Sequence, residues 1–194
     1  MRALLLAFII FLVGSFASAK DNPLEISFFG SFLHSKKVPN ALFFFSDIEK
    51  NDSFELRRAL RTHEIDTVVL ASGGGLVWEA LTMAGIIHDK GLTTYVPTFS
   101  DDQGCYSACS FMFFAGTTRK VDGILAIHQL GYGKSISNEK EVIGQITDDT
   151  QYTVSEIIGF LNEFETPPWV YEKMFRSTDF YTLTEEEKQD VSLG

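Results

Sequence analysis

The chain has 194 residues and a formal net charge of -10. An acidic chain with no basic cluster is a poor match for nucleic acid or for an anionic membrane surface. Its length suits one domain with a sizeable core, and its only two cysteines, Cys105 and Cys109, have no suitably spaced histidines to complete a structural zinc site.

The chain opens with MRALLLAFIIFLVGSFASAK. Arg2 is a minimal positive region, residues 3–13 are apolar, and Ala17-Ser18-Ala19 is a small-x-small cleavage signal, so residues 1–19 are expected to be a secretory signal peptide. The apolar run falls short of the roughly 20 residues that a spanning helix needs. An uncleaved membrane anchor is the second reading. The mature protein is expected to begin near Lys20 and to be secreted or periplasmic, in a compartment that permits disulfides.

Residues 20–40 are mixed in character and are expected to form a loosely attached lead-in to a domain over residues 41–194. ALFFFSDI, residues 41–48, predicts a buried strand. Asp52 or Ser53 is the expected cap of a helix with Leu56, Ala59 and Leu60 inward. DTVVLAS, residues 66–72, predicts a second strand that runs directly into Gly73-Gly74-Gly75. A helix follows, with Leu76, Ala80, Met83 and Ile87 on its apolar face and Gly91 as its stop. TTYVPTF predicts a third strand.

QGCYSACSFMFFAG comes next, read as a helix over residues 107–115 that is buried on most faces. GILAIHQL, residues 123–130, predicts a strand with His128 at its end. Residues 138–165 have a long helical period through Ile143, Ile146, Val154, Ile157, Leu161 and Phe164. Pro167 and Pro168 end it and start another helix, and Thr184 with Glu187 fits a capping box on a short terminal helix. Strands alternating with helices imply βαβ units and a mainly parallel sheet with flanking helices, and sites on such sheets lie beyond the carboxyl ends of the strands. The triple glycine and residues 104–107 both fall at such turns.

Glycine lets backbone approach a ligand closely, and the helix behind the loop points unpaired N–H groups into the same space. Ser72-Gly73-Gly74-Gly75 is therefore either an anion-holding loop or a tight turn. It lacks the lysine and hydroxyl residue of a P-loop, which argues against a nucleotide. Ser107 is either a helix N-cap or a nucleophile. A nucleophile needs a base, and His128 is the one histidine on the correct edge, since His34 lies in the lead-in and His63 and His88 follow or end helices. Ser110 is the competing nucleophile, one turn deeper. Cys105 and Cys109 are four apart, and helical neighbours at that spacing have Cα atoms about 6 Å apart, within disulfide range. Either they bridge across Ser107 or they are two small buried apolar residues.

The order of strand, glycine loop, helix, strand, GCYSACSFMFFAG and strand ILAIHQ resembles the proteolytic subunit of Clp protease, in the Clp-protease/crotonase-like superfamily. The resemblance spans residues 41–191. It rests on Ser72-Gly73-Gly74-Gly75 where that family has Ser-Pro-Gly-Gly, on Ser107 ahead of a buried helix ending in Ala115-Gly116, and on Ile127-His128-Gln129. It implies a core of repeated ββα units wound as a spiral. It also implies a triad of Ser107, His128 and Asp179, with Asp148 and Asp149 as alternatives for the third member. The N–H groups of Gly75 and Ala108 would hold the oxyanion, Gly73 and Gly74 would flank the substrate, and no metal or organic cofactor is implied.

The chain departs from the family in three places. Ala108-Cys109 stands where a glycine usually follows the serine, the loop PTFSDDQGC is longer, and the terminal segment lacks the usual glycine. These departures suggest an exported branch. A homo-oligomer is compatible with it, but the ring-shaped chamber need not form, and without ATP outside the cytoplasm no unfoldase partner is expected. The expected activity is that of a serine hydrolase acting on a peptide or another acyl substrate. A non-catalytic binding protein with the same fold is the rival, and an acyl-CoA enzyme of the crotonase type is a weaker third.

Overall fold

The computed structural model describes the backbone of residues 25–130 and 140–194, and the side chains of residues 25–130 and 151–194. The expected signal peptide at 1–19 lies outside the described residues, as do Ile143 and Ile146 as side chains. The strands in chain order are β1 (Ile26–Phe29), β2 (Phe32–Ser35), β3 (Ala41–Phe44), β4 (Thr67–Leu70), β5 (Thr93–Val96), β6 (Gly104–Tyr106), β7 (Thr118–Val121), β8 (Ile124–Ile127) and β9 (Tyr181–Thr182). The helices are α1 (Asp52–Thr62), α2 (Val77–Asp89), α3 (Cys109–Phe114), α4 (Lys140–Glu163), α5 (Pro168–Arg176) and α6 (Glu185–Val191).

The fold is α/β. Six strands form a mixed, mostly parallel sheet in the order β1-β2-β3-β4-β5-β7, and β6-β8-β9 form a smaller sheet. The pairs from β3 to β7 in the larger sheet are parallel, as is β6 with β8. One sequence of parts recurs along the chain. β4 leads to a bridge between Ser72 and Cys105 and then to α2; β5 leads to β6 and α3; β7 leads to β8 and α4. The Ser72–Cys105 bridge and the ends of β6 and β8 fall on the same edge, which gathers the glycine loop, Ser107 and His128.

Residues 26–35 are not a loose lead-in. β1 and β2 form an antiparallel hairpin around Gly30 (φ +55°), and β2 pairs with β3. The cause is aromatic burial: Phe29 and Phe32 are buried, and the Phe32 ring lies 4.8 Å from that of Phe44. Burying a side chain of this size contributes about 1.5–3 kcal/mol, enough to hold a short hairpin on an existing sheet.

Most helix faces follow the apolar spacing. Leu56 and Ala59 of α1, Ala80, Met83 and Ile87 of α2, and Ile157 and Leu161 of α4 are buried. Leu76 departs from the expected face, because it is the residue that caps α2 and is exposed. Neither Asp52 nor Ser53 caps α1: Asn51 occupies that position, and the Asp52 carboxylate accepts from Glu49 N–H at 2.8 Å instead. Pro168 opens α5, and the capping box of α6 is formed, with Thr184 N–H donating to Glu187 Oε2 at 2.9 Å and Glu187 N–H to Thr184 Oγ1 at 3.3 Å.

β7 has no apolar run behind it. Its inward residues are Val121 and the buried Arg119, whose guanidinium donates to Phe114 O at the end of α3. Burial pushes the Arg119 pKa down to about 10. Among the described residues no helix is long and apolar enough to cross a membrane.

Candidate active site

Ser107 stands one residue past the end of β6. Its N–H donates to Ala126 O at 3.0 Å, which fixes it against the end of β8. Its φ is +55°, a left-handed conformation that side chains other than glycine seldom adopt and that clusters at functional turns. This turn separates strand from helix, so α3 begins at Cys109 with Ala108 as its cap residue and has no side-chain cap. The Ser107 hydroxyl lies instead 2.7 Å from His128 Nε2. Ser110 is buried, and its hydroxyl donates to Ser107 O at 2.7 Å, which removes it from contact with a substrate.

His128 immediately follows β8 and is half-buried. The ring of Phe180 meets it edge-on with centroids 4.7 Å apart, and Phe180 also meets Tyr106 at 5.5 Å. Burial lowers the His128 pKa below the ordinary imidazole value. A neutral ring that accepts the Ser107 proton at Nε2 carries its own proton at Nδ1. The other histidines lie elsewhere: His34 stacks on His63 at 3.7 Å, and His88 lies against Phe164 at 4.9 Å.

Asp179 is not brought onto His128. It is exposed, and among the described residues no hydrogen bond joins it to the ring. Phe180, its neighbour in the chain, packs on the imidazole instead. Burial alone shifts the His128 pKa, and downward, whereas a paired carboxylate would raise it. Asp148 and Asp149 belong to α4, but their side chains lie outside the described residues.

The glycine loop meets the serine at Gly74, whose φ is +101°. A Cβ there would stand 2.7 Å from Ser107 Cβ and 3.1 Å from Ala108 N. Gly75 packs on the other neighbour, because a Cβ on it would overlap the Ile48 backbone. Gly74 C=O accepts from Ile48 N–H at 2.7 Å. In a trans peptide the next N–H points the opposite way, so the Gly75 N–H faces away from Ile48. Neither this N–H nor that of Ala108 has an acceptor among the described residues. Gly73 is near Asp47 Oδ1 rather than the serine.

Cys105 and Cys109 form a disulfide, with Cα atoms 5.3 Å apart. It ties the buried middle residue of β6 to the first residue of α3, with Ser107 between them. A loop this short constrains the unfolded chain only weakly, by about 2 kcal/mol. Its larger effect is on the turn. Reduction is expected to slow reaction of Ser107 with an active-site probe by about tenfold, the loss that a small displacement of a nucleophile produces, while the melting temperature moves little. The check is labelling rate and thermal unfolding on oxidised and reduced samples. An unchanged labelling rate with a large drop in melting temperature would make the bridge a stability device alone.

The sequence named Ser107, His128 and the glycine loop, and the fold brings them together. It missed Phe180, whose ring meets both His128 and Tyr106. The clue lay in Asp179-Phe180-Tyr181, where an aromatic next to the chosen aspartate competes for the same space. Among the described residues no group of three or more His, Cys, Asp or Glu converges as metal ligands would. No protein-family model matches the chain, and no curated protein matches it in sequence.

Proposed function

We propose that the protein is an exported serine hydrolase, most simply a peptidase, built on a Clp-protease-like spiral of ββα units. The observation that carries this reading is the 2.7 Å contact between His128 Nε2 and a Ser107 hydroxyl on a left-handed turn. The recurrence of large-sheet strand, small-sheet strand and helix supports the spiral. The disulfide supports an oxidising compartment and hence export.

Ser107 Oγ attacks the substrate carbonyl carbon as His128 Nε2 takes its proton. The carbonyl oxygen becomes an oxyanion held by the N–H groups of Ala108 and Gly75. As the tetrahedral adduct collapses, the bond to the leaving group breaks and His128 returns the proton to that group. Water then repeats the sequence on the acyl-serine and frees the enzyme. Phe180 shields one side of the imidazole. Asp179 has the role of third member only if it turns toward Nδ1, and the Ser107–His128 pair functions as a dyad otherwise.

The test is labelling of the parent protein by a fluorophosphonate, which releases fluoride as the serine oxygen bonds to phosphorus. His128 is reactive when neutral, and its pKa lies below the ordinary value of about 6.5. The labelling rate is therefore expected to rise with pH through one midpoint below that value and then hold level. A midpoint above it would mean that a carboxylate pairs with His128, restoring the triad. A binding protein is the second reading, favoured by the exposed position of Asp179 away from the ring. Failure of the parent to label at any pH would select it.

A further inference from the structure

A cavity of about 580 Å³ is lined by Tyr106 and Gly73 but not by Ser107 or His128 themselves. Its link to the site is through the chain: Tyr106 directly precedes the serine, and Gly73 directly precedes the glycine packed on it. This volume is ample for a large side chain. Phe45 and Phe99 form an aromatic wall, edge to face at 5.0 Å, and each is 47% exposed. Large aromatic surfaces left open beside a reactive group point to an occupant that covers them.

The charges decide which occupant fits. Asp47 and Asp102 both line the cavity, and among the described residues no lysine, arginine or histidine does. Asp47 Oδ1 lies against Gly73, where a Cβ would come within 3.0 Å of it, and Asp102 Oδ1 accepts from Ser100 Oγ at 2.7 Å. In the open cavity water solvates both carboxylates. A neutral apolar occupant would strip that water and supply nothing in return, and an acidic one would be repelled. A cation on a flat or extended stem answers both features, since the stem covers the aromatic rings and the charge meets the carboxylates and the π faces.

We propose that this cavity is the specificity pocket of the Ser107 site and takes an arginine or lysine side chain of the substrate next to the scissile bond. The proposal rests on the hydrolase reading for its substrate, but not for its binding chemistry. The long loop between β5 and β6 supplies Phe99 and Asp102, so the segment that departs from the Clp pattern contributes half of the aromatic wall and one of the two carboxylates.

The probe is p-aminobenzamidine, a planar cation, compared with the neutral p-aminobenzamide on the full mature protein carrying Ser107→Ala. The cation is expected to bind at least about tenfold more tightly, and added salt should narrow that gap. Asp47→Asn with Asp102→Asn should abolish the preference, and Phe99→Ala should weaken both ligands. All three positions are exposed, so the variants should fold, and circular dichroism is the check. Equal binding of the two probes, or a preference unchanged in the double variant, overturns the pocket. In the parent protein the amidine should also slow fluorophosphonate labelling; bound amidine with undiminished labelling overturns its assignment to the substrate. A parent that never labels, yet binds the amidine through Asp47 and Asp102, retains the pocket's chemistry and loses only the hydrolase reading.

Discussion

Ser107→Ala is expected to abolish fluorophosphonate labelling, and His128→Ala to reduce it by several orders of magnitude, as loss of a nucleophile or its base does. Both variants should fold, because neither side chain is fully buried and the Cys105–Cys109 bridge is untouched. Ser110→Ala is the control. Its hydroxyl is already spent on Ser107 O, so its loss should leave labelling within a few-fold of the parent and cost about 1 kcal/mol of stability for one internal hydrogen bond. Mass spectrometry of the labelled peptide separates the two serines directly. Labelling that survives in Ser107→Ala and vanishes in Ser110→Ala would shift the nucleophile by one helical turn. Asp179→Asn completes the series: a loss much smaller than that of His128→Ala agrees with the dyad, and an equal loss means that Asp179 reaches the ring during reaction.

The parts of this site that were legible in the sequence have local causes. A serine and a histidine at the ends of parallel strands must share an edge, because parallel connections return each strand to the same side. The Ser107–His128 contact follows from the parallel pairing of β6 with β8, of which the apolar runs reveal only β8. The missed features depend on packing between distant segments. β7 was hidden because a buried Arg119 occupies an inward position where a pattern reader expects an apolar residue. β6 was hidden because Gly104-Cys105-Tyr106 is too short to have a period, and it is a strand only through pairing with β8. The mixed polarity of residues 26–35 conceals the hairpin of β1 and β2, although Phe29 and Phe32 carry its inner face. Asp179 illustrates the limit of a resemblance, since the family pattern implies it as the partner of His128 whereas the neighbouring Phe180 makes the ring contact.

Gly74→Ala tests whether backbone approach at the loop is part of the chemistry. The new methyl would stand 2.7 Å from Ser107 Cβ and 2.9 Å from Tyr106 O, closer than such contacts permit, in a residue at φ +101°. Something must move, and the Ser107 turn and the Ala108 N–H are what it presses on. Losing one oxyanion donor costs about 3–4 kcal/mol of transition-state stabilisation, so labelling is expected to fall by about 10²–10³-fold. The two flanking glycines make the interpretation specific. A Cβ on Gly73 meets only the end of the Asp47 side chain, at 3.0 Å, so Gly73→Ala should stay within about tenfold of the parent, the effect of one displaced contact. A Cβ on Gly75 overlaps the Ile48 backbone, so Gly75→Ala should lose stability along with labelling. Thermal unfolding of the three variants beside their labelling rates separates these causes. Gly74→Ala with a near-parental melting temperature and a collapsed rate would tie this glycine to the oxyanion, and a parental rate would remove the loop from the mechanism.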